Sequence, residues 1–166
     1  MAIEESLVDF LSSVPPWIST IFLAALPISE LRGAIPLAIG VYGIEPFDAY
    51  VLAVIGNMLP VIPLLLFLEP VSNYLRRFKY MDMFFDWLFN RTRKNHTDRF
   101  EKFGILALTL FVAVPLPVTG AWTGCAAAFV FGIRFKWALP AIFLGVLIAG
   151  IIVTSLTVAG ISIAGI

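Results

Sequence analysis

Apolar residues run in four long blocks, residues 17–44, 49–68, 104–133 and 138–166, with one long polar stretch between the second and third. Each block is long enough to cross about 30 Å of hydrocarbon as a helix. The second and fourth read as plain spans, the second kinked by Pro60 and Pro63. The first and third are interrupted by "AALPISELRGAIP" and "AVPLPVTGAWTG". Each proline there removes an amide donor and crowds the turn before it. The pattern predicts helix–break–helix in both blocks. The break markers are Pro27, Gly33 and Pro36 in the first, and Pro115, Pro117 and Gly120 in the third.

The two halves match. Gly43-Ile44, Ala49 and Gly56 recur 89 residues later as Gly132-Ile133, Ala138 and Gly145, and Pro27 recurs as Pro115 at nearly that offset. Broken helices at matching positions of two repeats are a sequence pointer to a transporter site. The chain therefore reads as one transmembrane domain over residues 1–166. Repeat one covers about 12–68, a connector 69–102, and repeat two about 103–166.

Composition places these helices in lipid. The chain has 166 residues, 60% hydrophobic and 13% charged, against roughly 45–50% and 25% in a soluble domain. Net charge is zero, so bulk charge points to no nucleic-acid partner. The acidic N-terminus lacks the basic region of a cleaved signal peptide. Cys125 is the only cysteine, so no internal disulfide forms, and it reads as a small apolar residue. His96 is the only histidine and reads as solvated. No cofactor, metal, phosphate-loop or catalytic-triad motif is visible, so the chain is not expected to be an enzyme.

The distribution of charge sets a topology. All basic residues except Arg32, Arg134 and Lys136 fall in the connector, which is therefore cytoplasmic by the positive-inside rule. Arg134 and Lys136 join them inside if the third block dips in and returns, and lie outside if it spans. The first block has acidic flanks and no basic residue near either end. The favoured fold is an all-α membrane protein of two inverted repeats. Each repeat is a re-entrant helical hairpin followed by a transmembrane helix, and a basic amphipathic helix joins them. Both termini then lie outside. Four ordinary spans with both termini inside is the alternative. Tyr74, Phe78, Met81, Phe85 and Leu88 fall at helical spacing in the connector, which predicts an interfacial anchor.

Charge inside the first block supplies the candidate chemistry. A helix from about Pro15 to Leu26 is roughly 18 Å long and reaches mid-membrane. Ser29 would cap the returning half-helix, whose amides and positive end favour anions. Glu30 and Arg32 are two apart, a spacing at which helical residues do not face each other. They are either a structural pair holding the hairpin tip, or a proton-accepting carboxylate with an anion-binding guanidinium. A charge at mid-membrane costs about 2.5–3.5 kcal/mol on insertion scales, which favours a functional role. Asn57 would line the same cavity or bond to another helix. Thr119 would cap the returning helix of the third block, with Thr123 adding a hydroxyl.

"ISELRGAIPLAIG", with the repeat architecture, resembles a prokaryotic membrane family labelled small multi-drug export proteins, a compact branch of the DedA superfamily. The resemblance covers about residues 17–160. It implies two re-entrant hairpins facing each other and the movement of lipid carriers, polyprenyl phosphate or phospholipid, with proton coupling. Glu30 matches the acidic residue of the first DedA hairpin. The arginine usual in the second is absent from "LFVAVPLPVTGAW", which leaves Arg32 as the intramembrane candidate for a phosphate headgroup. The expectation is a proton-coupled transporter or flippase, with membrane lipid and protons as partners and a homodimer as its assembly. Alternatives are a proton-coupled exporter of cationic drugs, and a non-transporting assembly or scaffold protein.

Overall fold

The structure, a computed structural model, describes residues 14–75, 77, 83, 98–116 and 119–164. These residues are helical with no strand among them. The helices are α1 (Pro16–Ala25), α2 (Glu30–Gly40), α3 (Pro46–Met58), α4 (Val61–Leu75), α5 (Asp98–Ala113), α6 (Ala121–Phe131) and α7 (Phe135–Ala164). The connector helix read from residues 69–102 lies for the most part outside the described residues, as do Pro117 and His96.

Proline sets several boundaries. α1 and α3 carry proline in their first turn, where no amide donor is needed. Leu26 and Glu45 each precede a proline and are extended, with ψ of 139° and 142°. A following proline disfavours the helical region at that position, so α1 stops and α3 cannot start earlier. Leu59 and Pro60 form the turn that separates α3 from α4. The repeated Gly-Ile pair closes α2 and α6 alike. Gly43 and Gly132 are left-handed, with φ of 65° and 69°. The following amides turn back, Ile44 N–H to the Ala38 carbonyl at 2.9 Å and Ile133 N–H to the Ala128 carbonyl at 2.8 Å.

Two stretches are long and apolar enough to cross a membrane, Pro46–Leu68 and Phe135–Ile163. Only 28% and 39% of their most apolar windows are buried, whereas the core helix of a soluble protein would be mostly covered. Large apolar side chains such as Ile55, Leu66, Phe67, Leu144, Ile151 and Leu156 point outward. The buried positions are rich in alanine, among them Ala24, Ala34, Ala38, Ala53, Ala121 and Ala128. Small residues inside and large ones outside is the arrangement of helices packed in lipid, where close backbone approach drives association. The other described helices are shorter. α1 and α6, at 10 and 11 residues, measure about 15 and 17 Å, half of what a crossing needs.

The chain forms two compact units. The first contains residues up to Leu59 together with those from Ala149 onward. In it α1, α2 and α3 pack against one another, and Gly150 of α7 lies against Tyr50 and Val54 of α3. The second contains Pro60–Ile148. There α6 packs against α4 and α5, and the Cys125 thiol reaches the Val61 carbonyl at 3.9 Å. Each unit thus holds one helix–break–helix motif with part of each long apolar stretch.

One contact occurs in both units. A carbon added at Gly56 would lie 2.9 Å from Ala24 Cβ and closer still to the Ile21 carbonyl oxygen. A carbon added at Gly145 would lie 2.6 Å from Val112 Cβ and 2.9 Å from the Thr109 carbonyl oxygen. Ile21 and Thr109 each stand six residues before the break prolines Pro27 and Pro115, and Ala24 and Val112 each stand three before. The sequence match between Gly56 and Gly145 is therefore also a match of packing.

Candidate functional site at the first helix break

The chain between α1 and α2 is held by short hydrogen bonds. Leu26 N–H donates to the Leu23 carbonyl at 3.2 Å, and Glu30 N–H donates to the Leu26 carbonyl at 3.0 Å. The Ser29 hydroxyl also donates to the Leu23 carbonyl. Glu30 opens α2 with φ of 44°, the only left-handed non-glycine residue among those described. That region costs an L-residue about 1–2 kcal/mol, and such strain persists only where the surroundings over-determine it. Beside it, a carbon added at Gly33 would meet Ser29 Cβ at 2.7 Å. Serine at 29, a left-handed 30 and glycine at 33 are thus one local solution.

The polar residues buried among those described are Ser19, Thr20, Glu30 and Asn57, and all belong to the first unit. Glu30 is 5% exposed and Asn57 1%. Thr20 donates to the Pro16 carbonyl at 2.8 Å, an ordinary intrahelical bond. Asn57 Oδ1 has no hydrogen-bond partner. A buried acceptor left in this state costs about 1–3 kcal/mol. The sequence neighbours of Glu30 and Asn57 both meet the C-terminal part of α1. Glu30 follows Ser29, which is bonded to Leu23, while Gly56 beside Asn57 touches Ile21 and Ala24. Arg32 is partly buried.

The second unit builds a similar break with different chemistry. α5 ends at Ala113 and α6 begins at Ala121, with Gly120 at its N-cap position. The Thr119 hydroxyl accepts from Leu116 N–H at 3.0 Å and donates to the Val114 and Leu116 carbonyls. Thr123 donates to the Gly120 carbonyl at 3.3 Å. The break prolines align Thr20 with Leu108, and the matched glycines align Asn57 with Val146. Leu108 and Val146 are both buried, so the polar set of the first unit has apolar counterparts here.

Two expectations about caps are corrected. Ser29 occupies the N-cap position of α2, yet its side chain caps no amide. Its backbone is helical rather than extended, which sends the hydroxyl back to α1. Thr119 lies one residue before the cap of α6, and its hydroxyl likewise bonds back, to the end of α5. In both units the hydroxyl holds the break closed. Gly33 and Pro36 fall inside α2, while Pro27 and Pro115 lie in the gaps. Proline at 36 lacks the amide that would bond to the Arg32 carbonyl, and α2 continues through it. Ser19, Thr20 and the strain at Glu30 were not singled out in the sequence. The hydroxyl pair in "WISTIF" was the available signal for the first two.

Residues 30–152 match a family model described as "Putative small multi-drug export protein". No curated protein and no solved structure matches the chain. The matched span begins at the buried glutamate, takes in the first long apolar stretch and more than half of the second, and covers most of the sequence. This chain is a membrane protein that belongs to the small multi-drug export protein family.

Proposed function

We propose that this chain is a proton-coupled membrane exporter in which Glu30 carries the proton. The observation behind this reading is a carboxyl 5% exposed, on a left-handed backbone, at a break in an apolar helical unit. An ionisable group at such a place is costly unless it works, and backbone strain of this kind gathers at functional sites. The four hairpin helices support re-entrant loops. α1, α2 and α6 are too short to cross, and the apolar part of α5, Gly104–Ala113, is equally short. Two hairpins entering from opposite faces also keep Arg134 and Lys136 on the same side as the basic connector. Lys136 over the Trp137 ring at 5.5 Å and Arg77 over the Tyr74 ring at 5.3 Å suit the interface at that side.

Cationic compounds fit this site better than lipid phosphate. Its buried groups are a carboxyl, an amide and two hydroxyls. The lipid-phosphate reading rests on Arg32, whose planar fork of donors suits phosphate, and residues 114–120 add no basic side chain. Flux of a fluorescent cation into proteoliposomes under a proton gradient tests the reading. Glu30→Gln should stay folded and lose coupled flux, while Arg32→Gln keeps it. If Arg32→Gln instead abolishes polyprenyl-phosphate binding, Arg32→Lys weakens it and Glu30→Gln spares it, the cargo is the lipid. Unchanged flux in Glu30→Gln would leave the protein as a membrane scaffold. Chemical crosslinking in the same vesicles tests whether two chains form the working unit.

A further inference from the structure

We infer that Asn57 is the hydrogen-bond partner of the protonated Glu30 carboxyl, so that the pair forms a single proton-holding site in each chain. This rests on the reading of Glu30 as the proton carrier. Asn57 Oδ1 is a buried acceptor without a donor, in a residue 1% exposed. A native buried acceptor in that state requires an explanation, and a donor or a cation relieves it. Water, a cation or a protonated acid would serve. Ser29, the neighbour of Glu30, bonds to the last turn of α1 at Leu23, and Gly56, the neighbour of Asn57, touches that turn at Ala24, while Glu30 and Asn57 are themselves buried.

An ionised carboxylate offers acceptors only, so it leaves Asn57 open. Protonation converts the carboxyl into an O–H donor. The proton then neutralises the buried charge and satisfies the open amide oxygen in one step. No covalent bond other than this O–H is made, and the proton returns to solvent when the site opens.

Among the described residues of the first unit, other ionisable groups are few. α1 carries none, and neither does α7 from Ala149 onward. α2 carries Arg32, the turn after it Tyr42 and Glu45, and α3 carries Asp48 and Tyr50. Tyr50 is seven residues from Asn57, about 10 Å along the helix. The second unit has Val146 where the first has Asn57 and no acid in residues 114–120, hence one site per chain.

Infrared spectra of the full chain in lipid nanodiscs, with carbonyl-labelled asparagine, test the pair. The Glu30 acid band, identified by its loss in Glu30→Gln, should disappear as pH rises. The labelled Asn57 carbonyl band, identified by its loss in Asn57→Leu, should shift with it, and should not shift in Glu30→Gln. At a pH where the acid band is gone, Glu30→Gln places a permanent N–H donor beside Asn57. It should raise the melting temperature by about 2–4 °C, and that gain should vanish in the Asn57→Leu background. A titrating Glu30 band with a static Asn57 band, or equal gains in both backgrounds, would overturn the pairing and leave Glu30 as the carrier. Absence of any titrating Glu30 band would overturn both.

Discussion

The helix–break–helix of the first unit and that of the second share a frame and differ in chemistry. In both, a glycine of the following long apolar stretch admits the backbone of the incoming helix six residues before a proline. In both, a hydroxyl near the break bonds back to a carbonyl in the last turn of that helix or just past its end, Ser29 to Leu23 and Thr119 to Val114. Among the described residues, only the first unit buries a carboxyl, an amide and two hydroxyls; the second buries Leu108 and Val146 at matched positions. Small residues and a hydroxyl staple therefore suffice to build the break. The polar set is an addition the frame does not require, which is why we assign the chemistry to it.

Substitution at matched sites tests how far the likeness holds. The largest effect is expected at the shared glycines. Gly56→Leu and Gly145→Leu each force a side chain against a backbone carbonyl and should cost about 3 kcal/mol or more, read as lost folded yield and lower melting temperature in detergent or nanodiscs. Similar losses would confirm a common frame, and a tolerated change at one site only would break it.

An intermediate effect of opposite sign is expected from exchanging Asn57 and Val146. At a pH where Glu30 is ionised, Asn57→Val removes an unpaired buried acceptor and should stabilise the protein by about 1–3 kcal/mol, and it should reduce proton-coupled flux. Val146→Asn places such an acceptor in the second unit and should cost a similar amount. Thermal melts of both variants decide this. A destabilised Asn57→Val at that pH would mean that Oδ1 has a donor other than the Glu30 acid, and the contrast between the units would narrow.

The smallest effects belong to the staples. Ser29→Ala should cost about 0.5–1.5 kcal/mol, the net worth of one hydrogen bond. Thr119→Val should cost somewhat more, because Thr119 both donates and accepts. Melting temperatures without change in either variant would show that the proline and glycine pattern alone sets the breaks.

Much of this was legible in the sequence because it is local or lipid-facing. The long apolar stretches follow from hydropathy, since lipid leaves a helix no alternative backbone partner. The breaks at Pro27 and Pro115 and the turn at Pro60 follow from a missing amide and a ring clash, which no tertiary contact has to supply. The Gly-Ile closures follow from the left-handed residue those turns require. Glu30 was visible as a costly charge in an apolar block. Other features were decided only in three dimensions. Whether the Ser29 hydroxyl faces forward to cap α2 or back to α1 turns on the backbone angle at one residue, and the sequence motif suits both. Which face of α3 is buried, and so whether Asn57 is bonded or left open, depends on how closely α1 approaches at Gly56. Spacing along the chain orders the polar groups of one helix but not those contributed by several. It took the packing of α1, α2 and α3 to bring Ser19, Thr20, Glu30 and Asn57 into one buried unit.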